Sequence, residues 1–372
     1  MMGLAHNIWL RILVPLSIFC CFCIISGLNN DVDRIEEDIV MAVSICGKAK
    51  SPSFGMFKRL LFSIAHNKEP SRRVKIYAIY DDKSSTPESI FCSESSNRAT
   101  NILKQIELQN IQVEFVPYVT NEFIKMFKLC STNKLFLSYM IPESESFVIS
   151  LDADTIFTED PANLWNYKYN QTVFHRNVVM AGVQETFDNS VDHCHYCKKL
   201  SNGDLGNPSY GHYGINAGVI LFNMTLFRRI KLDQYFMKIL THKPSFSNFA
   251  LGDQDVVNQA VKLNPDIFHY LPCRWNRNIN RNSCKDAGNG FQTGIIHGNG
   301  RGFNVNYWTS RGVSHDLAQT TFLFYSELMK GNGDWCLHDD QDLISLRNFE
   351  IDQKKQSTIS QKAQPQKPHQ VK

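Results

Sequence analysis

The sequence lacks the signatures of several common enzyme classes. It contains no phosphate-binding P-loop, no serine–histidine–aspartate signature and no glycine-rich dinucleotide fingerprint. It also has no internal repeats, and its 39 Lys and Arg residues nearly balance 36 Asp and Glu residues, without a long basic stripe. A nucleic-acid partner is therefore not expected. What remains is a chain of 372 residues, 43% hydrophobic and 20% charged, which is typical of a globular protein.

Charge is almost absent from one stretch near the N-terminus. Residues 8–28 are IWLRILVPLSIFCCFCIISGL, with Arg11 as the only charge. A helix of about 20 apolar residues spans a bilayer, and the base before the stretch with acids after it predicts a cytosolic N-terminus. We therefore predict a cytoplasmic tail and signal-anchor helix over 1–28 and a stem over 29–38. The protein would be a type II protein of the Golgi or endoplasmic reticulum membrane. A signal peptide cleaved near Ser26-Gly27 is the alternative.

Cysteines and glycosylation sequons agree with a luminal location. Three of the 11 cysteines lie in the apolar stretch, which leaves an even set of eight that favours disulfides in an oxidising compartment. Cys273 and Cys284 bracket a short polar loop and are the pair that we predict, although the sequence does not fix the connectivity. Asn170 and Asn223 each begin an acceptor sequon for N-glycosylation.

Strand and helix patterns alternate after the stem. The stretches DIVMAVSIC, VKIYAIYDD, IQVEFVPY and SFVISLDAD have strand character, and helical spacing occurs over 54–66, 101–107 and 135–141. This order predicts an α/β fold, with a mostly parallel twisted sheet flanked by helices, in which ligands bind beyond the carboxyl ends of the strands. We predict one domain over 39–350 and a disordered tail over 351–372, where no aromatic residue occurs.

Two carboxylates end the strand SFVISLDAD. Residues i and i+2 of an extended chain point the same way, so Asp152 and Asp154 are expected to converge beyond the strand end. Like charges that close repel each other unless a cation lies between them, and Mn²⁺ or Mg²⁺ would suit two carboxylates. Ala153 is small enough to let a ligand approach the backbone. The alternative interpretation is a turn, in which aspartate is common.

A histidine ends a second strand, in the glycine-rich stretch GIIHGNGRGFN. A neutral imidazole is a suitable third ligand for Mn²⁺, so His297 is a candidate metal ligand. Gly298 and the glycines that follow would let backbone N–H groups approach a diphosphate, and Arg301 would add positive charge. The alternative is a surface histidine in a turn.

These stretches belong to an ordered set between about residues 40 and 330. Its members are VSICG, CSTNKLFLSYMIP, VISLDADTIFTEDPANLW, GINAGVILFNMT, GDQDVVN, PCRWN and IIHGNGRG. The chain thereby resembles family-8 glycosyltransferases of GT-A fold, and most closely the animal glucoside xylosyltransferases. The resemblance implies that Asp152, Asp154 and His297 hold Mn²⁺ on the diphosphate of a UDP-sugar donor.

The resemblance also implies donor contacts and roles in catalysis. The implied donor-binding residues are Cys46, Gly47, Lys134, Asn216, Asp253 and Arg301. Lys134 stands where many members have arginine, and Arg301 replaces the usual lysine. The family retains anomeric configuration, so the acceptor would attack from the face that the diphosphate leaves. The candidate catalytic residues are Gln254, on the opposite face of the sugar, and Asp255, an alternative nucleophile.

The implied reaction is transfer of xylose from UDP-xylose to a glycoprotein acceptor, O-linked glucose on EGF-like repeats. Trp275 in PCRWN would stack on an acceptor sugar, or else pack in the core beneath a disulfide loop. A hexosyltransferase that uses UDP-glucose or UDP-galactose is one alternative. A non-catalytic luminal sugar-binding protein is another.

Overall fold

The structure, a computed structural model, describes residues 37–45, 52–80, 110–117, 131–185, 214–242, 252–278 and 293–298. Predictions for the apolar stretch 8–28, the stem up to residue 36, the helix over 101–107 and the tail 351–372 concern residues outside these ranges. Within the described ranges, no helix combines the length and apolar character needed to cross a membrane. The described strands and helices belong to the unit of the chain that begins at Ile39.

Ten strands are described: β1 (Ile39–Ile45), β2 (Val74–Tyr80), β3 (Ile111–Pro117), β4 (Phe147–Asp152), β5 (Thr155–Phe157), β6 (Met180–Gln184), β7 (Ile215–Asn223), β8 (Phe268–Tyr270), β9 (Arg277–Asn278) and β10 (Ile295–His297). Seven of them form one sheet in the order β3-β2-β1-β4-β7-β6-β8. Its pairings are parallel except for those that β7 makes with β4 and β6, which are antiparallel. The predicted mostly parallel sheet is therefore confirmed.

The central strands are apolar on both faces. In β1 every residue except Ser44 is buried, and in β7 every residue except Asn223 is buried. Such continuous apolar runs are typical of strands that are covered on both faces of the sheet. In such strands, a sequence that alternated apolar and polar residues would bury polar side chains in the core. Ser44 pairs with Asp152 of β4, so the first of the two predicted carboxylates lies at the carboxyl end of the parallel strands.

Five α-helices are described: α1 (Pro52–Asn67), α2 (Ala162–Trp165), α3 (Met224–Arg229), α4 (Leu232–His242) and α5 (Asp253–Leu263). α1 buries an apolar stripe at helical spacing, formed by Phe57, Leu60, Leu61 and Ile64. It packs against β1 and β5, whereas α5 packs against α4 and β7. The sheet is thus flanked by helices, as the sequence predicts.

Two helical predictions differ from the structure. The spacing over 226–240 predicts one helix, but α3 and α4 are separate because Lys231 between them has a φ of 54°, a left-handed conformation that ends a helix. Residues 135–139 of the predicted stretch 135–141 belong to a 3₁₀ segment, Ser131–Tyr139, which is interrupted at Phe136. The buried side chains in this segment include polar as well as apolar ones, so tertiary contacts and not an amphipathic stripe determine its conformation.

Three short strands form a second sheet in the order β5-β10-β9. β10 runs antiparallel to β5, and His297 pairs with Thr155 in this register. Thr155 directly follows Asp154, so the second sheet brings the glycine-rich stretch of the sequence to the end of β4.

Candidate metal centre

The turn between β4 and β5 carries the second aspartate. Asp152 is the last residue of β4, and Ala153 and Asp154 form the turn. The expectation that both aspartates extend one strand is therefore wrong, and the alternative prediction of a turn is right about the backbone. The Thr155 hydroxyl donates to the carbonyl oxygen of Asp152 at 2.8 Å, which holds the turn closed. The two carboxylates nevertheless face a common point, because the turn is short and both flanking strands are paired.

His297 reaches the two carboxylates because β10 pairs with β5. The backbone N–H of Gly298 donates to the carbonyl oxygen of Asp154 at 2.8 Å and extends this pairing by one residue. The Gly298 N–H thus has a carbonyl acceptor in the protein, and a contact of Gly298 with a diphosphate stays a prediction. Gly298 contributes by fixing the histidine segment against the aspartate turn.

Asp152, Asp154 and His297 form a compact cluster of metal-ligating side chains. One ligand atom from each lies within 4.8 Å of the others. The Nε2 atom of His297 is 3.3 Å from Asp154 Oδ1 and 3.6 Å from Asp152 Oδ2. The side chain of Asp152 is 36% exposed, whereas that of His297 is only 3% exposed, so the cluster opens to solvent at Asp152. Two carboxylates and one imidazole suit Mn²⁺ and leave coordination positions for phosphate oxygens.

The charge of His297 depends on its acidic neighbours. Burial of the ring would lower its pKa, but the carboxylates of Asp154, Asp152 and Glu185 oppose this and raise the pKa above the ordinary value for histidine. Without a cation, the imidazolium form balances the carboxylates. A bound divalent cation would replace that proton, because Nε2 is the atom that faces both aspartates.

Lys134 lies on the other side of Asp152. Its ammonium group donates to Asp152 Oδ1 at 2.6 Å, to the carbonyl oxygen of Ala217 at 2.8 Å and contacts Asp253 Oδ2 at 3.0 Å. An ammonium has three N–H donors, and these three oxygens satisfy them. Burial would lower the pKa of Lys134, but the two carboxylates outweigh it and raise that pKa. The structure therefore places Lys134 between the carboxylates of Asp152 and Asp253, and the contacts of Lys134 and Asp253 with a donor stay predictions.

A chain of amide side chains lies behind the imidazole. Asn276 Oδ1 is 2.9 Å from His297 Nδ1, and Asn276 Nδ2 donates to Asn216 Oδ1 at 2.9 Å. Asn216 Nδ2 donates in turn to Glu185 Oε2 at 2.8 Å. All four of these side chains are buried. The predicted donor-site residue Asn216 thus has protein partners on both ends of its amide.

The two candidate catalytic residues lie at the start of α5. Gln254 accepts from the backbone N–H of Ala217 at 3.2 Å and donates to Glu185 Oε2 at 3.3 Å, which joins it to the amide chain. Asp255 is 3% exposed, so its carboxylate is enclosed by protein. Ala153 is also buried, at 7% exposure. The roles of these residues toward a sugar stay predictions.

A close contact explains the last glycine of GINAG. A Cβ atom added at Gly218 would lie 2.2 Å from His297 Cε1 and 2.6 Å from its Nδ1. The imidazole therefore packs flat on the Gly218 backbone, and a side chain at this position would displace it. The N–H of Gly218 also donates to Asn216 Oδ1 at 2.8 Å.

Trp275 is a core residue in the structure. It is 1% exposed, and it packs edge-to-face against Tyr167 and beneath the guanidinium of Arg274. Stacking of Trp275 on an acceptor sugar is therefore not supported, and the alternative of a packed tryptophan agrees with this burial. The neighbouring Cys273 is disulfide-bonded. Its partner lies outside the described residues, so the pairing with Cys284 stays a prediction.

The two sequons have different surroundings. Asn170 is exposed, and its Oδ1 accepts from both the backbone N–H and the hydroxyl of Thr172, at 2.9 and 2.7 Å. Asn223 is half-buried at the end of β7, where its Oδ1 caps α3 by accepting from the N–H of Leu226 at 3.0 Å. Glycosylation of either residue stays a prediction, and Asn170 is the better placed of the two.

Three predicted site residues lie outside the described part of the chain: Cys46, Gly47 and Arg301. Three residues of the centre are additions from the structure: Glu185, Gly218 and Asn276. Glu185 directly follows β6, so a carboxylate at a strand end is the signal that would have found it. Asn276 and Gly218 lie inside the stretches PCRWN and GINAG, but neither has a charge that would single it out.

Comparison with known proteins agrees with this architecture. The chain is 25% identical over 353 residues to glucoside xylosyltransferase 1 of Mus musculus, covering 89% of this chain and 76% of that protein. It is 25% identical over 311 residues to glucoside xylosyltransferase 2 of Xenopus laevis, covering 79% of this chain and 65% of that protein. Part of each relative therefore has no counterpart in this chain.

A solved structure shows the same fold. The apo structure of the bifunctional glycosyltransferase WbbM superposes with a TM-score of 0.52 and 15% identity, over 76% of this chain and 51% of that one. The fold is accordingly GT-A-like, with a mostly parallel sheet flanked by helices. The family described as glycosyl transferase family 8 matches residues 31–302, which is most of the sequence. The chain belongs to glycosyltransferase family 8.

Proposed function

We propose that the chain is a retaining, divalent-metal-dependent xylosyltransferase that uses UDP-xylose. The observation that carries this proposal is the convergence of Asp152, Asp154 and His297 at the carboxyl end of β4, in a family-8 glycosyltransferase. The relatives named glucoside xylosyltransferases support xylose as the sugar and a glucoside as the acceptor. O-linked glucose on EGF-like repeats of a glycoprotein is the acceptor that we propose.

The proposed metal ligands would bind the donor through a cation. Asp152, Asp154 and Nε2 of His297 would hold Mn²⁺, with Mg²⁺ as a weaker substitute because imidazole suits Mn²⁺ better. Lys134 holds Asp152 Oδ1 at 2.6 Å, so Oδ2 is the oxygen that remains turned toward the imidazole. When bound, the cation supplies positive charge that stabilises the UDP leaving group.

Gln254 is the candidate residue for the face of the sugar opposite the diphosphate, and its side chain is a neutral amide. An amide is a poor nucleophile, and the Gln254 amide is held by Ala217 and Glu185. We therefore favour attack by the acceptor hydroxyl from the face that the diphosphate leaves, with a departing phosphate oxygen taking the proton. Gln254 would contact the sugar from the other face. Asp255 remains the alternative nucleophile, and an Asp255→Asn variant that turns over at the normal rate would exclude it.

A donor panel tests the proposed reaction. UDP release would be measured with UDP-xylose, UDP-glucose and UDP-galactose, each with a glucoside acceptor and with Mn²⁺ or EDTA. We expect release from UDP-xylose that requires both Mn²⁺ and the acceptor. Release from a UDP-hexose alone would replace the xylosyl proposal with a hexosyltransferase. No release from any donor would leave a sugar-binding protein.

The location that we propose is the lumen of the Golgi or endoplasmic reticulum, with residues 8–28 as a type II anchor. The apolar stretch, the even set of cysteines after it and the exposed Asn170 support it. Expressed in cells with a C-terminal tag, the protein should be protected from protease in sealed microsomes. Digestion of the tag in sealed microsomes would contradict the proposal.

A further inference from the structure

We infer that Asn276 is a positioning residue that fixes the tautomer of His297 and thereby prepares Nε2 as a metal ligand. This inference rests on the proposed function, because it concerns the same metal centre. It starts from the 2.9 Å contact between His297 Nδ1 and Asn276 Oδ1. Either ring nitrogen of a neutral imidazole can carry the proton, so something in the structure must decide which one does.

Two fixed groups decide the orientation of Asn216. The backbone N–H of Gly218 is only a donor, and it lies 2.8 Å from Asn216 Oδ1. Glu185 Oε2 lies 3.3 Å from the donating Gln254 Nε2 and 2.8 Å from Asn216 Nδ2, and it accepts from both. A flipped Asn216 amide would place two donors together at Gly218 and two acceptors together at Glu185. The amide of Asn216 therefore has one orientation.

The orientation of Asn216 then decides that of Asn276. Asn216 Oδ1 is an acceptor, so the Asn276 atom 2.9 Å away must be the donating Nδ2. Asn276 Oδ1 is thereby turned to the imidazole and can only accept. His297 Nδ1 must carry the proton, and in the neutral ring Nε2 is left with its lone pair directed at Asp152 and Asp154.

Burial makes this chain of hydrogen bonds effective. Asn276 and Asn216 are each 3% exposed, and His297 is also 3% exposed, so water does not compete for these contacts. Gly218 packs closely against the imidazole ring, because a Cβ atom at this position would lie within 2.9 Å of three ring atoms. The ring thus has a defined plane, and Nδ1 keeps its proton, before a cation binds. Outer contacts of this kind change metal affinity by about 10–100-fold in other proteins.

The first test uses the unaltered protein. Two-bond ¹H–¹⁵N correlation spectra of ¹⁵N-histidine-labelled, metal-free protein would be recorded at a pH where His297 is neutral, with His297→Gln to assign its signals. We expect a protonated Nδ1 and an unprotonated Nε2. A protonated Nε2 would overturn the inference, whether or not the enzyme transfers xylose.

The second test measures binding of Mn²⁺ alone, without nucleotide, by electron paramagnetic resonance of the free ion. Asn276→Leu keeps the size of the side chain but removes the acceptor, and we expect its Kd for Mn²⁺ to rise by about 10–100-fold. Asn276→Asp keeps an acceptor for Nδ1–H, although its second oxygen faces the acceptor Asn216 Oδ1, and we expect its Kd for Mn²⁺ to be lower than that of the Leu variant. A folded Leu variant with unaltered Kd, or an Asp variant no better than Leu, would overturn the inference.

A second buried asparagine provides the control. Asn258 is 4% exposed and hydrogen-bonds the backbone of Ile215 and the carbonyl oxygen of Gln254. Asn258→Leu should lower the melting temperature without changing the Kd for Mn²⁺. If Asn276→Leu does not fold, the tautomer spectrum and the Asp variant still decide the question. Absence of Mn²⁺ binding by the unaltered protein would instead reject the metal of the proposed function.

Discussion

The Nε2 and Nδ1 edges of the His297 ring contact chemically different groups. The Nε2 edge faces Asp152 and Asp154, and Lys134 holds the first of these carboxylates. The Nδ1 edge faces a neutral amide, Asn276. Charged groups exert strong forces over a distance but tolerate many geometries, whereas a buried amide pair tolerates few. The Nε2 edge thus supplies affinity for a cation, and the Nδ1 edge supplies the direction of the ligand.

The largest expected effect comes from neutralising the Nε2 edge. Asp154→Asn keeps the shape of the turn but removes one charged ligand, and its backbone carbonyl still accepts from Gly298. A metal supplies several kcal/mol of charge stabilisation, so we expect UDP release to fall by about 10³-fold. The melting temperature of the metal-free protein should fall where His297 is charged, because the imidazolium loses the Asp154 carboxylate as a partner. UDP release at the normal rate would show that Asp154 is not a ligand.

The ion pair behind Asp152 should dominate stability. Lys134→Met leaves the buried Asp253 carboxylate without its counter-ion, and removing one partner of such a pair typically costs about 3–5 kcal/mol. Chemical denaturation would measure the loss. Adding Asp253→Asn should recover part of it, because the orphaned charge is then removed.

A lysine near the surface serves as the matched control for Lys134. Lys75 pairs with Glu114 and Glu145 but is 21% exposed, so Lys75→Met should lower stability by less than about 1 kcal/mol. Equal losses for the two lysine variants would contradict the assignment of Lys134 as the cation that holds Asp152 and Asp253 together.

A third change moves the ring without altering any charge. Gly218→Ala places a Cβ 2.2 Å from His297 Cε1, so the ring must shift by about 1 Å. A displacement of that size can lower turnover by about 10²-fold. Gly182→Ala in β6 is the control, because its Cβ would meet Phe268 and Val219 at an ordinary 3.4 Å. If both variants turn over equally, the ring does not need the position seen here.

The smallest expected effect is a gradual change of Mn²⁺ affinity with pH. The pKa of His297 is raised, so in the metal-free protein its imidazolium form stabilises the fold below the unfolded pKa of about 6.5, and this stability is lost as pH rises through the folded value. Mn²⁺ requires the neutral ring, so its affinity should fall by up to about tenfold per pH unit below the folded pKa. Mn²⁺ titrations between about pH 6 and 8.5 would measure this slope. His297→Gln should bind Mn²⁺ weakly and with an affinity that does not change with pH in this range. An Mn²⁺ affinity of the unaltered protein that does not change with pH would contradict the prediction.

Sequence predicts the Nε2 edge better than the Nδ1 edge for a physical reason. Asp152 and Asp154 interrupt an apolar strand, and His297 ends another, so each stands out against its neighbours. Even so, the sequence does not show that Asp154 lies in a turn, because a two-residue turn and a strand end have the same composition. Lys134 is identifiable as a site residue, but only the packing shows that it binds three protein oxygens.

The neutral residues could not be predicted in the same way. Asn276 follows Trp275, which is the more conspicuous residue in the sequence. Gly218 has an ordinary backbone, and its role depends on a ring about 80 residues away in sequence. The burial of Trp275 likewise depends on Tyr167 and on the disulfide-bonded Cys273. Contacts between segments distant in sequence leave no local pattern, whereas the apolar runs of β1 and β7 do.

The most direct test is the position of a manganese ion. Crystals soaked with Mn²⁺ and UDP would be measured at the manganese absorption edge. We expect one anomalous peak, at a manganese ion that is bound by Asp152, Asp154 and Nε2 of His297. Diphosphate oxygens should complete the coordination of this ion. A peak bound elsewhere, or a histidine that meets the ion through Nδ1, would contradict it.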